Sequence, residues 1–195
     1  LVFVIVVIGI LAVLAMPRFD SDPLGRAAEQ VASHIRYTQH LAIVNDVYDP
    51  KEQYWYRARP QIAFADCGGG TAYYYTVGSD KYLNTGHIAE DEAAIDPLTK
   101  KKMFWLNGQC NPDMYPDREE SLLLTHTYGV TVTPAANCAT ISFDSKGRPY
   151  NTFSLTNPYL GQLTNPCTIT LTHATLGTTA TITIEPQTGY VSVSY

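Results

Sequence analysis

From Leu1 to Met16 the chain has no polar position: fifteen residues are apolar, the other is Gly9, and Pro17 follows before the first charge at Arg18. Twelve of these side chains are large and aliphatic or aromatic. Burying each is worth roughly 1.5–3 kcal/mol, so together they favour leaving water by roughly 18–36 kcal/mol before entropy. That exceeds the ~5–15 kcal/mol net stability of a whole domain. As an α-helix the run rises about 24 Å, short of the about 30 Å of a bilayer core. The shortfall, with a start at Leu1 and not methionine, reads as a truncated or processed beginning. A secretory signal peptide fits less well, because no A-x-A-like cleavage site follows. Residues 1–17 therefore predict a transmembrane helix.

The pattern then changes. Asp22-Pro23 reads as an N-cap followed by proline at the first helical position, and Leu24, Ala27, Ala28, Val31, Ile35, Thr38 and Ala42 recur at helical spacing. This predicts a helix from about Pro23 to Ile43, with Arg26, Glu29, Gln30, Ser33 and Arg36 on its other side and a stop at Asn45-Asp46. From Gln53 onward the period is two: Val130 and Val132, Ile141 and Phe143, Ile169 and Leu171, Ile182 and Ile184, Val191 and Val193 alternate with polar residues. Asp144-Ser145-Lys146-Gly147 and Pro186-Gln187-Thr188-Gly189 read as hairpin turns, so the strands predict an antiparallel meander. The expected fold class is α+β: a long N-terminal hydrophobic helix continuing into an amphipathic helix packed on an antiparallel β-sheet. Its domains are 1–17, the apolar helix; 18–45, the amphipathic half; and 46–195, a β-rich extracytoplasmic domain with a disulfide-closed insertion near 66–117.

Composition narrows the class. The chain has 45% apolar and 11% aromatic residues, with 13 basic against 18 acidic side chains for a net charge of −5. Aromatic content excludes disorder, the absence of a repeat excludes a collagen-like chain, and the lack of a second long apolar run excludes a multi-span membrane protein. The negative balance weighs against a dedicated nucleic-acid binder, whose affinity depends on neutralising cations.

LVFVIVVIGILAVLAMP resembles the N-terminal helix of type IV pilins and type II secretion pseudopilins, including Gly9 amid β-branched residues and Pro17 at its end. In that family a phenylalanine, later N-methylated, and a glutamate stand just upstream of the leucine matching Leu1, behind a short basic leader removed by a prepilin peptidase. Gly9 and Pro17 weaken a helix at both ends of the stretch between them, and the resemblance implies that this stretch partly melts in assembled filaments. AAEQVASHIRYTQHLAIVND, ISFDSKGRPY and ITIEPQTGYVSV are similar to the H-type minor pseudopilins and their pilus-side relatives. The resemblance implies a non-enzymatic structural subunit of a pilus-like or secretion filament, without cofactor, held in the inner membrane by a single pass before assembly. Its partners are copies of itself or other pilins and an assembly platform, with Phe3, Ile5, Ile8, Gly9, Leu11 and Pro17 in the filament core. The alternative is a minor tip pilin that serves adhesion or DNA uptake.

Candidate chemistry beyond this is sparse. Cys67, Cys110, Cys138 and Cys167 permit three pairings, of which the sequential one is favoured because each bridge then closes one surface excursion. No C-x-x-C pair supports zinc, and no G-x-S-x-G or H-E-x-x-H supports catalysis. His34 and His40, six apart, read as surface or interface residues. Cys67-Gly68-Gly69-Gly70-Thr71 lacks the lysine of a phosphate loop and reads as a loop pinned by a disulfide. Asp80, Glu90, Asp91, Glu92 and Asp96 have no EF-hand spacing and read as a solvated loop, so no metal site is assigned. Tyr54, Trp55 and Tyr56 with Arg57 and Arg59 read as a strand; those arginines with Lys100, Lys101 and Lys102 are the candidate DNA contacts. Tyr73-Tyr74-Tyr75 serves either as sheet cover or as an inter-subunit contact.

Overall fold

The computed structural model describes residues 22–70, 72–82, 87–151 and 157–195. Helix α1, Pro23–Val44, opens where Asp22 accepts the Gly25 N–H at 2.8 Å and Pro23 takes the first helical position. Proline needs no N–H partner there, and its ring disfavours a helical residue before it, consistent with the ψ of 88° at Asp22. Asn45 closes the helix by donating to the Leu41 carbonyl at 2.9 Å. Ala27, Ala28, Val31, Ala32 and Ile35 are fully buried, so the stripe read from the sequence is the face that packs.

The expected long hydrophobic helix is corrected. α1 has its own cap at Asp22-Pro23, and no helix among the described residues is long and apolar enough to cross a membrane. Arg26, Glu29 and Arg36 project from α1, and charged side chains are costly in hydrocarbon. The single-pass inner-membrane location is corrected on the same finding. Phe3, Ile5, Ile8, Gly9, Leu11 and Pro17 lie outside the described residues.

The expected single sheet is also corrected. Strands β1, Gln61–Asp66; β2, Tyr73–Gly78; β4, Thr140–Phe143; and β5, Pro149–Tyr150 form one antiparallel sheet in the order β2-β1-β4-β5. Strands β3, Val130–Pro134; β6, Cys167–His173; β7, Thr179–Ile184; and β8, Val191–Ser194 form a second, ordered β3-β6-β7-β8. Only β6-β7-β8 is the predicted meander. β3 and β4 follow each other in the chain yet pair with β6 and β1, so the chain changes sheet between them. A short helix α2, Leu124–Tyr128, precedes β3 and ends on Gly129 in the left-handed region. α1 packs on strands of both sheets, and Ile62, Ile141, Phe143, Val130, Ile169, Leu171, Ile182 and Ile184 complete a common core.

The pairing Cys67–Cys110 and Cys138–Cys167 is the sequential one. Cys138 stands just before β4 and Cys167 opens β6, so this buried bridge ties one sheet to the other. Closing a 29-residue separation removes about 3.6 kcal/mol of unfolded-chain entropy in the loop-closure model. A Cys138→Ala/Cys167→Ala protein is therefore expected to lose up to about that stability in denaturant titration. A loss below about 1 kcal/mol would show that the sheets hold together without the bridge.

Candidate functional site

Three groups of side chains stand out on the elements that carry them. The first joins α1 to both hairpin turns. Gln39 donates to the carbonyls of Gly147 at 2.8 Å and Thr188 at 2.9 Å, and Arg36 donates to the Val191 carbonyl at 3.0 Å. Gly189, with φ +66°, leaves no room for a side chain: a Cβ there would lie 2.5 Å from Gln39 Nε2 and 2.6 Å from the Gly147 carbonyl oxygen. The two turn sequences thus serve as docking points for one helix side chain, which their local chemistry did not indicate. The remaining outer face of α1 exposes Arg26, Glu29, Ser33 and His40.

The second group is a buried polar network under α1. His34 is only 7% exposed, which overturns its reading as a surface residue; His40 is exposed as expected. His34 Nδ1 lies 2.7 Å from the Tyr75 hydroxyl, and Nε2 lies 3.2 Å from the Gln30 amide nitrogen and 3.4 Å from Asp96 Oδ2. A neutral ring with its proton on Nδ1 donates to Tyr75 and accepts from Gln30; with the proton on Nε2 it faces Asp96 and accepts from Tyr75. Gln30 also donates to Ser121 Oγ at 2.9 Å, extending the network to the 3-10 turn Glu120–Leu122 that precedes α2. Burial lowers the His34 pKa against the opposing pull of Asp96 and Glu119. Burial acts to raise the Asp96 carboxyl, but the N–H groups of Thr99 and Leu98, then His34, outweigh it and hold that carboxyl low. Burial also raises the Tyr75 phenol well above its usual value, so the hydroxyl stays protonated. The order Asp–His–Tyr looks like a proton relay, yet Tyr75 has no exposed surface, so a reactant cannot reach its oxygen. What the arrangement does is fasten α1, β2 and the insertion together.

A pH effect follows. The unfolded chain takes up a proton on His34 near the ordinary histidine value of about 6.5, whereas the folded chain resists it. Stability is then complete above that pH and falls as pH drops below it, at up to about 1.4 kcal/mol per pH unit for one proton. The low-held carboxylates Glu90, Asp96, Asp117 and Asp144 lose their contribution only further down, below the ordinary carboxylate range. Chemical denaturation between pH 7 and pH 5 is expected to show the slope in the native chain and a flatter profile in His34→Asn.

The third group comprises the charged and aromatic residues singled out in the sequence. Tyr54–Arg59 is not a strand but carries a 3-10 turn, Trp55–Ala58, packed by ring contacts. Arg57 lies 4.6 Å from the Tyr54 ring, and Arg59 lies 4.1 Å from the Tyr150 ring. Arg59 is buried; Lys102 is half-buried and pairs with Glu90 at 2.8 Å and Asp117 at 2.9 Å; Lys100 is exposed and Lys101 half-buried. Glu90 also takes Arg118 at 2.7 Å, whose guanidinium lies 3.9 Å from the Tyr115 ring. The acidic stretch is not a solvated loop: Asp80, Glu92 and Asp96 are buried, and Glu92 accepts the N–H groups of Tyr82 and Ala89 at 2.9 and 2.8 Å. Among the described residues, no group of three or more His, Cys, Asp or Glu side chains is arranged to hold a metal ion. Asp66 Oδ1 takes the Gly68 N–H at 2.8 Å and the Gly70 N–H at 3.3 Å, so these amides serve their own loop. Tyr74 and Tyr75 are buried and Tyr73 is half-buried, which makes the tyrosine run mainly sheet cover. Comparison with protein-family models, curated proteins and solved structures returns no match for this chain.

Proposed function

We propose that this chain is a structural subunit of a type IV pilus-like or type II secretion filament, assembled through its apolar N-terminal sequence. The observation that carries the reading is the division of labour along the chain. An uncharged run, Leu1–Met16, leads into a domain whose helix α1 buries one face against two sheets and leaves Arg26, Glu29, Ser33 and His40 outward. A run this apolar needs a dry partner, and neighbouring subunits supply one. The partners are other copies of the chain or related pilins.

Immunogold electron microscopy of filaments sheared from cells making the chain tests the reading. Antibody to the β-rich domain should decorate them, continuously for a major subunit and sparsely or at tips for a minor one. Filaments that never carry the label would overturn it. The alternative, a tip subunit that binds DNA or a surface, has less support, because carboxylates pair with Lys102 and Arg59 is buried.

A further inference from the structure

Arg59 is 2% exposed, and its Nε is buried without a hydrogen-bond partner among the described residues. A guanidinium carries five donors and no acceptor, so a buried one is normally met by a carboxylate or by carbonyls. Here the rings of Tyr150 at 4.1 Å and Trp55 at 5.4 Å flank it instead. Cation–π attraction offsets part of the lost hydration but leaves the N–H unsatisfied.

Arg59 lines a cavity of about 230 Å³ together with Tyr48, Trp55, Lys146, Arg148 and Tyr159. Its two acidic walls are Asp46 and Asp144. Asp144 is occupied: Arg148 reaches its Oδ2 through two nitrogens at 2.7 Å, and the N–H groups of Lys146 and Arg148 reach Oδ1 at 3.0 and 2.9 Å. Asp46 accepts the Tyr48 N–H at 3.1 Å. Asp144 also acts on Arg59, so that three cations, Arg59, Lys146 and Arg148, share two carboxylates, in a chain whose net charge is −5. Tyr48 and Tyr159, 60% and 63% exposed, stand at the mouth.

We propose that this cavity is a binding site for a small oxyanion, a carboxylate or phosphate group carried on at most one ring, with Arg59 as its principal donor. The volume falls below the ~300–1,000 Å³ of pockets for drug-sized ligands, which sets the size. Arg59 supplies the fork that matches an oxyanion, Lys146 adds a mobile charge, and the tyrosines cover a ring face. The inference stands on this cavity and not on the filament reading, so either survives failure of the other.

The test titrates the full 195-residue chain in neutral detergent with inorganic phosphate, glucuronate or glucose at constant ionic strength. Trp55 reports by fluorescence, since Trp105 is buried beside Tyr115, and isothermal calorimetry reads the same titrations. Phosphate, glucuronate or both should saturate below about 10 mM while glucose does nothing; which of the two binds identifies the group. Arg59→Lys should weaken binding about tenfold or more. Lys146→Ser, on an exposed turn, should weaken it severalfold without disturbing the fold, and it decides the matter if Arg59→Lys unfolds. No saturable response to either anion, an equal response to glucose, or unchanged binding in Lys146→Ser and folded Arg59→Lys overturns the proposal.

Discussion

On the proposed filament assembly, the substitution Ile8→Asp is expected to abolish entry of this chain into filaments while leaving the β-rich domain folded. Ile8 stands in the middle of sixteen residues without a charge or a side-chain hydrogen-bonding group. If neighbouring subunits bury this run, a carboxylate placed there must either lose its hydration or take up a proton, and both cost several kcal/mol. Each subunit of an array incurs that cost, so it multiplies along a filament. Ile8 lies far in sequence from the first described residue, Asp22, so denaturation of the domain should not register the change. Immunoblots of sheared filaments and of whole cells measure the two quantities. Filaments holding Ile8→Asp at native levels would overturn assembly through this run. Ile8→Leu, which keeps the volume and the polarity, should assemble normally.

What the sequence made legible was local. The α1 helix was readable to within a residue, because Asp22-Pro23 and Asn45 are chemical signals and the Ala27, Ala28, Val31 and Ile35 stripe has a period. The strands with clean alternation were readable for the same reason, as were the two glycine turns. How these strands are partitioned was not: β3 and β4 are consecutive and similar in pattern, and their division between sheets depends on pairings about 40 and 80 residues away, Val130 with His173 and Ile141 with Ile62. The polar network failed to show for a related reason. His34, Tyr75 and Asp96 are far apart in the chain, and a histidine on a helix carries no mark of what will cover it. Arg59 is singled out in the sequence as a basic residue and Arg118 is not, and the burial of both against rings is a tertiary fact. The acidic stretch misled because carboxylates close in sequence are expected in water, whereas Glu92 and Asp96 turn inward to hold backbone N–H groups.

The insertion between β2 and α2 offers the sharpest test of that last point, because its sequence reads as a surface excursion and yet it contains Trp105, one of the largest fully buried side chains. Trp105 donates from Nε1 to the Glu119 carbonyl at 2.8 Å, and its ring meets Tyr115 edge-on at 6.3 Å. Its own carbonyl and N–H both contact the Thr76 hydroxyl, at 3.0 and 3.3 Å, and Val77 of β2 donates to the Met103 carbonyl at 2.9 Å. The insertion therefore continues the β2 edge and fills the core behind it. Trp105→Ala is expected to cost about 3–5 kcal/mol, from lost transfer energy and a cavity the neighbours fill only in part. For a domain of this size that is a fall of roughly 6–20 °C in Tm. Trp105→Phe keeps most of the apolar volume but leaves the Glu119 carbonyl only the longer bond from the Leu122 N–H at 3.4 Å, and should cost about 1 kcal/mol. Hydrogen exchange separates the two ways the alanine variant can fail. Loosening confined to the insertion exposes the Val77 and Met103 amides while Ile169 and Ile182, in the central strands of the other sheet, keep their protection. Uniform loss of protection across both sheets means that the insertion and the two sheets unfold as one unit, and a cost below about 1 kcal/mol would place Trp105 outside the stabilising core.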